Sequence, residues 1–320
     1  MIIDIVYTYV DSTDEAWKLQ KEKDINNTVE ASKSDCECRY NSSLNELLYS
    51  IRSLEMFFKD KYNKIYLVTN NGKLPKFFKE HDNIIVLLYS ELLGNTTYNS
   101  NSIESVLHEI PNLSEYYLYF NDDFMLLKNL NIDDLISNNN ELIWYEETNF
   151  FSNLLNNKYI YNIYSSVISN IINDTVPDAR NYTKKLINYN KPKTISHSCR
   201  IFKKSLVTEF YNKYKLYIDN LRLEKFRTKT TFCFVDAFCF WAEENGYLLL
   251  KNSCKTCILL QTDYEYLNIY NYIMFKIIHY YKDYYTFLCI EDNRKKKTFC
   301  KNIFEYLENK FNIKSKYEYE

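Results

Sequence analysis

The chain has 320 residues, 46% hydrophobic and 26% charged, with a net charge of −2. That length and balance suit one large α/β domain or two modest ones, and give no bulk reason to expect nucleic acid or an anionic membrane as a partner. With 3 Gly, 4 Pro and 32 Tyr beside abundant Asn and Lys, the composition reads as codon bias, so glycine motifs can erode without loss of fold.

Residues 2–10 form a β-branched and aromatic run ending at Asp11-Ser12-Thr13-Asp14, which predicts a buried strand delivering an acidic loop. This start carries Asp4 and neither a basic leader nor a small-residue cleavage site. No stretch reaches the uncharged apolar length of a spanning helix, so the expectation is a soluble, cytoplasmic chain. Residues 20–38 are polar, lack an apolar face and read as a mobile loop. From Leu44 to Phe58 apolar residues recur every three or four positions, predicting an amphipathic helix, and Lys64–Thr69 reads as a strand closed by Asn70-Asn71-Gly72. Residues 73–80 read as a helix, Asn83–Leu88 as a strand, Ser102–Glu109 as a helix and Tyr116–Phe120 as a strand ending in Asn121-Asp122-Asp123.

This alternation predicts an α/β fold with a mostly parallel sheet flanked by helices, whose ligands gather at the carboxyl ends of the strands. The acidic loops at Asp11 and Asp122 both follow strands and are placed to face one crevice. Residues 131–190 are Asn-rich and read as a helical insertion with loops. Helical periodicity returns over 203–216, 235–245, 264–282 and 298–311, a helical C-terminal elaboration. With no repeat and no linker, one domain spanning 1–320 is expected, in which 1–130 form the α/β core and 191–320 complete the site.

Asn121-Asp122-Asp123 is the strongest chemical signal: adjacent carboxylates at a strand end suit a hard divalent cation, with diphosphate oxygens in its open positions. The alternative is a polar turn. Asp11 and Asp14 have the same placement, with Asp14 equally suited to cap a helix that includes Trp17. Asn99-Ser100-Asn101 precedes a helix whose Glu104 has capping-box spacing from Asn101. His197, Arg227 and the run Arg294-Lys-Lys-Lys297 are, by themselves, ordinary solvated or hydrogen-bonded residues. The 9 cysteines read mainly as reduced, buried small hydrophobes. Cys36-Glu-Cys38 and Cys254-Lys-Thr-Cys257 are too far apart, and Cys-x-Cys too unusual a half-site, to make zinc the expected metal.

Together these segments resemble the Stealth family. Asp4-Ile-Val-Tyr-Thr-Tyr-Val-Asp-Ser-Thr-Asp-Glu-Ala-Trp17 is similar to the family's first block, D-x-V-Y-T-W-V-D-G-S-D-x-x-W. Arg39-Tyr-Asn, Asn45–Glu55 and Lys64–Asn70 resemble the start of the second block; Tyr98–Glu104, His108–Glu115 and Tyr119–Asp123 resemble its end. A third block is similar at Ser196-His197, Lys204 and Lys225-Phe226-Arg227. A fourth is similar at Phe287–Asn293, Phe304–Leu307, Phe311 and Ser315–Glu318. Three positions depart from the pattern: Ser12 replaces Gly, Tyr9 replaces Trp, and Glu291-Asp292 replaces Asn-Asp.

The resemblance implies a GT-A-like, Rossmann-like nucleotide-binding fold and a phosphotransferase. Such an enzyme would move a sugar-1-phosphate from a nucleotide-sugar, commonly UDP-N-acetylglucosamine, to a glycan hydroxyl. It implies Mg²⁺ (or Mn²⁺) at Asp122 and Asp123, catalytic roles for His197, Arg227 and Asp123, and donor binding by Asp11, Arg52, Asn99 and Ser100. His197 as general base and His197 as covalent nucleophile are both compatible with this pattern. A glycosyltransferase on the same fold and a non-catalytic nucleotide-sugar or glycan-binding relative are the alternatives.

Overall fold

The computed structural model describes residues 1–27, 45–146, 176–252, 257–261, 285–291 and 297–319. Its centre is a five-stranded sheet of β1 (Ile3–Tyr9), β2 (Ile65–Thr69), β3 (Ile84–Leu88), β4 (Tyr116–Asn121) and β7 (Arg200–Lys203), in the order β3-β2-β1-β4-β7. The first four strands run parallel, and β7 closes one edge antiparallel to β4 with Tyr119 opposite Arg200. β1 and β2 are buried on both faces, which is why they read as unbroken apolar runs instead of alternating ones.

Smaller ladders complete the β structure. β5 (Phe124–Leu126) pairs with β10 (Phe287–Glu291), which pairs with β9 (Cys257–Gln261), while β6 (Leu142–Glu146) pairs with β8 (Leu248–Asn252). The helices are α1 (Glu15–Asn26), α2 (Glu46–Phe57), α3 (Tyr89–Leu93), α4 (Ser100–Glu104), α5 (Val176–Leu186), α6 (Lys204–Lys213), α7 (Lys215–Leu223), α8 (Phe234–Glu244) and α9 (Lys297–Lys310). The expected α/β, mostly parallel sheet with flanking helices is therefore present.

Both chain ends enter the packing. Asp4, fully buried at the start of β1, accepts from the Lys64 and Ser114 amides and from Asn63 Nδ2, satisfying a carboxylate that burial would otherwise penalise. An aromatic cluster joins β4, β7, β6 and α8 through Tyr117, Phe202, Trp144 and Phe238, with ring centroids 4.9–5.3 Å apart along that path's Phe202 contacts. At the other end Glu318 forms an isolated bridge with Phe78, and the Lys79 amide donates to the Tyr317 carbonyl.

Several local expectations change. Residues 73–80 are turns and a bridge: the Phe78 amide bonds to Pro75 O, and the C-terminal strand-like segment takes the pairing a helix would need. The polar stretch from residue 20 does not start a loop, because Asp14 caps α1 at the Trp17 amide and the helix continues to Asn26. The helix expected over 102–109 divides into α4 and a 3-10 turn at Leu107–Glu109, where the Ser105 hydroxyl bonds back to Ser102 O. Periodicity over 203–216 resolves into α6 and α7, separated at Tyr214. The helix expected at 264–282, residues 147–175 of the 131–190 insertion, Cys36, Cys38, Cys254 and Arg294 lie outside the described residues. Cys199, Cys233, Cys239 and Cys289 are buried and reduced, as expected. Among the described residues no helix is long and apolar enough to cross a membrane.

Candidate active site

In this sheet the strand order reverses direction between β1 and β4, and open α/β sheets bind ligands outside the carboxyl ends of strands at such a point. Asp11 follows β1 and Asn121-Asp122-Asp123 closes β4 and follows it, so the two acidic loops lie at that crevice.

Asp11 is tied to the end of β2. Its amide donates to Asn70 Oδ1 at 2.7 Å, and Asn70 Nδ2 returns a bond to Asp11 O at 3.2 Å. Its carboxylate accepts from the Thr13 amide (2.9 Å), the Thr13 hydroxyl (2.6 Å) and Asn71 Nδ2 (3.3 Å). Asn71 Nδ2 also reaches Asp14 Oδ2 at 3.4 Å, so one amide braces both acids.

The acid pair is held from the other side by β10. The Ile290 amide donates to Asp123 O at 3.1 Å, and Cys289 Sγ donates to Asp123 Oδ2 at 3.3 Å. Burial, and then the Asp123 charge, push the Asp122 carboxyl up to about 7. Two adjacent carboxylates that resist joint ionisation are a hard oxygen site short of positive charge, which fits a divalent cation. No group of three or more His, Cys, Asp or Glu forms a metal cluster among the described residues. A cation here would take its remaining ligands from substrate oxygens and water, as magnesium commonly does.

Arg227 is delivered by a seam between residues 97–100 and 224–227. Tyr98 N donates to Lys225 O at 2.7 Å, the Thr97 hydroxyl bonds Glu224 O at 2.7 Å, and Tyr98 stacks on Phe226 with centroids 4.9 Å apart. Asp24 on α1 accepts from the Tyr98 hydroxyl and from Lys225 Nζ, binding the first block to this seam. The result is a guanidinium only 9% exposed, with Nη2 3.5 Å from Ser100 Oγ and Nε without a hydrogen-bond partner. A buried cation with an orphaned N–H has the chemistry to receive an anion.

His197 is exposed in an irregular segment. Its backbone is fixed by the Ser196 amide on Tyr145 O (2.8 Å), while its ring stands edge-on to Phe124 with centroids 6.5 Å apart. Phe124 directly follows Asp123, so the histidine meets the residue next to the acid pair.

The other expected donor residues separate. Ser100 is exposed beside Arg227. Asn99 is fully buried: it caps α4 by accepting from the Asn101 amide, and it donates to Glu224 Oε2 at 3.1 Å. Arg52 is turned to the C-terminal segment, with Nε and Nη2 on the Glu318 carboxylate and Nη1 on Phe311 O at 3.0 Å.

Glu104 and Tyr119 adjoin these residues and were not singled out as chemistry in the sequence. Glu104 is not the capping acid its spacing suggests, because Asn99 occupies the cap and the Tyr119 hydroxyl lies 3.0 Å from Glu104 Oε1. Burial pushes the Glu104 carboxyl up to about 7, against the opposing pull of Arg200 and Arg227. The available signal was helical spacing: Glu104 lies four residues after Ser100 and so on its side of α4.

The chain resembles known proteins over part of its length. Residues 39–143 match the region described as Stealth protein CR2, conserved region 2. Capsular polysaccharide phosphotransferase LcbA of Neisseria meningitidis is 37% identical over 138 residues, 40% of this chain and 36% of that protein. An exopolysaccharide phosphotransferase of Streptomyces coelicolor is 40% identical over 129 residues, 39% of this chain and 23% of that protein. The chain thus spans little more than a third of the capsular relative it matches. Among solved structures, the galactosyltransferase LgtC with donor and acceptor sugar analogues gives a TM-score of 0.46 at 9% identity, covering 97% of this chain and 95% of that one. A glycosyltransferase involved in glycosylation of the major capsid of PBCV-1 gives 0.40 at 11%, covering 97% and 100%. Over the matched stretch the chain carries the Stealth conserved region 2 and is similar to bacterial polysaccharide phosphotransferases.

Proposed function

We propose that the protein transfers a sugar-1-phosphate, N-acetylglucosamine-1-phosphate in the first instance, from a UDP-sugar to a hydroxyl of a glycan acceptor. The observation that carries this reading is the buried Arg227 guanidinium, unpartnered at Nε, in a site that also holds an acid pair resisting joint ionisation. An anion receptor plus a cation site is what a diphosphate donor requires.

In the reaction the acceptor oxygen attacks the β-phosphorus. The bond from that phosphorus to the oxygen bridging to the α-phosphate breaks, and UMP leaves with the bond's electron pair. The hydroxyl proton passes to the His197 imidazole, a side chain chemically suited to general-base work. Arg227 braces the phosphoryl oxygens with a planar fork that lysine lacks. Asp122 and Asp123 would hold Mg²⁺ or Mn²⁺, which when bound supplies charge neutralisation to the diphosphate. Asp11 and Ser100 would contact the donor from the β1 end and from α4. Asn99 would support that contact through the α4 cap.

The test is a reaction of the protein with Mg²⁺, UDP-N-acetylglucosamine and a panel of sugar acceptors, followed by phosphorus NMR and mass spectrometry. UMP with a new phosphodiester supports the reading. UDP with a new glycosidic bond replaces it by glycosyl transfer, and donor binding without product points to a non-catalytic relative.

A further inference from the structure

Arg200 opens β7 at the sheet edge, opposite Tyr119, and is 8% exposed. It lies outside the residues assigned above to donor, metal or proton transfer, yet it reaches three parts of the site. Its Nη2 donates to Ser196 O at 2.7 Å, the carbonyl immediately before His197. Its guanidinium carbon lies 5.7 Å from the Phe124 ring centroid and 5.8 Å from that of Trp144. Its charge also opposes the upward push of burial on Glu104.

We propose that Arg200 is a positioning residue for the transfer reaction: it fixes the Ser196 carbonyl behind His197 and the Phe124 ring behind Asp123, and so sets the histidine against the acid pair.

The physical case rests on how the histidine's backbone is held. Residues 196–199 form no helix or strand, so no regular ladder of backbone bonds fixes this stretch. Individual bonds fix it instead. The Ser196 amide bond to Tyr145 O and the 3.1 Å contact between the Ser196 and Ser198 hydroxyls hold one side. The Arg200 fork holds the other. Phe124 is shared by the Arg200 guanidinium and the His197 ring, and it is next in sequence to Asp123. A planar, weakly hydrated guanidinium can stack on that ring while donating in its own plane, which a lysine ammonium cannot do. Displacement of a catalytic group by about 1 Å is enough to cost about a hundredfold in rate.

The proposal rests on the phosphotransferase reading, so its test combines turnover with a measurement independent of turnover. Arg200→Met and Arg200→Lys would be compared with the wild type for kcat, donor KM and hydrogen exchange followed by mass spectrometry. The expected result is a kcat lowered about tenfold to a hundredfold in Arg200→Met with donor KM within about twofold, and partial recovery in Arg200→Lys. Exchange over residues 195–199 should quicken about tenfold while that of β1 and β2 stays at the wild-type rate. Unchanged kcat in a folded variant overturns the proposal, as does exchange that quickens across the whole sheet. If Arg200→Met does not fold, Arg200→Lys alone decides by the same split. If the wild type transfers no sugar-phosphate, the phosphotransferase reading fails and exchange alone judges the residue: protection lost only over 195–199 supports the positioning role, and unchanged protection there removes it.

Discussion

The Tyr119 hydroxyl lies 3.0 Å from Glu104 Oε1 and 2.6 Å from Asn121 Oδ1, joining a buried carboxyl to the loop that carries Asp122 and Asp123. One phenolic proton cannot serve two acceptors at once, so the arrangement is best satisfied when Glu104 is protonated. Burial, which pushes Glu104 up to about 7, favours that state.

Stability should therefore fall as pH rises through neutrality. Glu104 and Asp122 are both raised to about 7 in the folded protein from ordinary values of 4.5 and 3.8. Between those values and about 7 the folded state binds more protons than the unfolded one. Their contribution is complete below the unfolded values and is lost as pH climbs through about 7. For Glu104 that contribution is at most on the order of 3 kcal/mol, because one pKa unit corresponds to about 1.4 kcal/mol. Thermal unfolding should give a higher Tm at pH 5.5 than at pH 8, and Glu104→Gln should flatten that difference; an unchanged slope in the variant would remove Glu104 as a source.

The clasp between Arg52 and Glu318 has the opposite sign. Burial alone would raise the Glu318 carboxyl, but bonds from Arg52 and the Ser315 amide outweigh it and hold the carboxyl below its ordinary value. This stabilisation is present above the unfolded carboxyl value and lost as pH falls through the lower folded one. Glu318→Ala should cost about 3–5 kcal/mol in urea unfolding, because it leaves a buried guanidinium unpaired, while a paired apolar replacement of both residues should cost much less. Equal losses in the single and double variants would show that the ion pair is not the cause.

Much of the sheet was legible in the sequence because β1, β2, β3 and β4 are short, apolar, rich in β-branched and aromatic residues, and closed by turn residues. What local pattern could not supply was partnership across long separations. Arg52 sits in a matching motif, but only the fold reveals that Glu318, 266 residues away, takes its guanidinium. Glu104 has the spacing of a cap, and only the approach of β4 turns it toward Tyr119. Residues 73–80 fail as a helix for the same reason, since Phe78 and Lys79 bond to the C-terminal segment. The acid pair and its position at the crevice were legible; the β10 strand that pins Asp123 was not.

Asp123→Asn should abolish activation by Mg²⁺ or Mn²⁺. The substitution keeps the side chain's shape and an oxygen near Cys289 Sγ but removes the charge that a hard cation needs. Calorimetric titration of the metal in the presence of UDP should lose its heat in the variant, and metal dependence identical to the wild type would place the cation elsewhere.

His197→Ala tests the proton-transfer role most directly. The ring is exposed and makes an edge contact to Phe124, so its removal opens no core cavity, and unfolding should change little. If it accepts the acceptor's proton, kcat should fall by roughly 10²–10⁴ while donor affinity stays near the wild-type value, because Arg227 and the acid pair are untouched. A free imidazole in the buffer should restore part of the rate if the lost function is proton transfer, and restoration should follow the neutral fraction of the added base. A covalent role predicts something else: a phosphorylated histidine in wild-type protein quenched during turnover, visible by mass spectrometry at residue 197. Near-normal turnover in the alanine variant would remove His197 from the chemistry altogether and return attention to Glu104, whose carboxyl feels the Arg227 charge and meets the acid pair's loop through Tyr119.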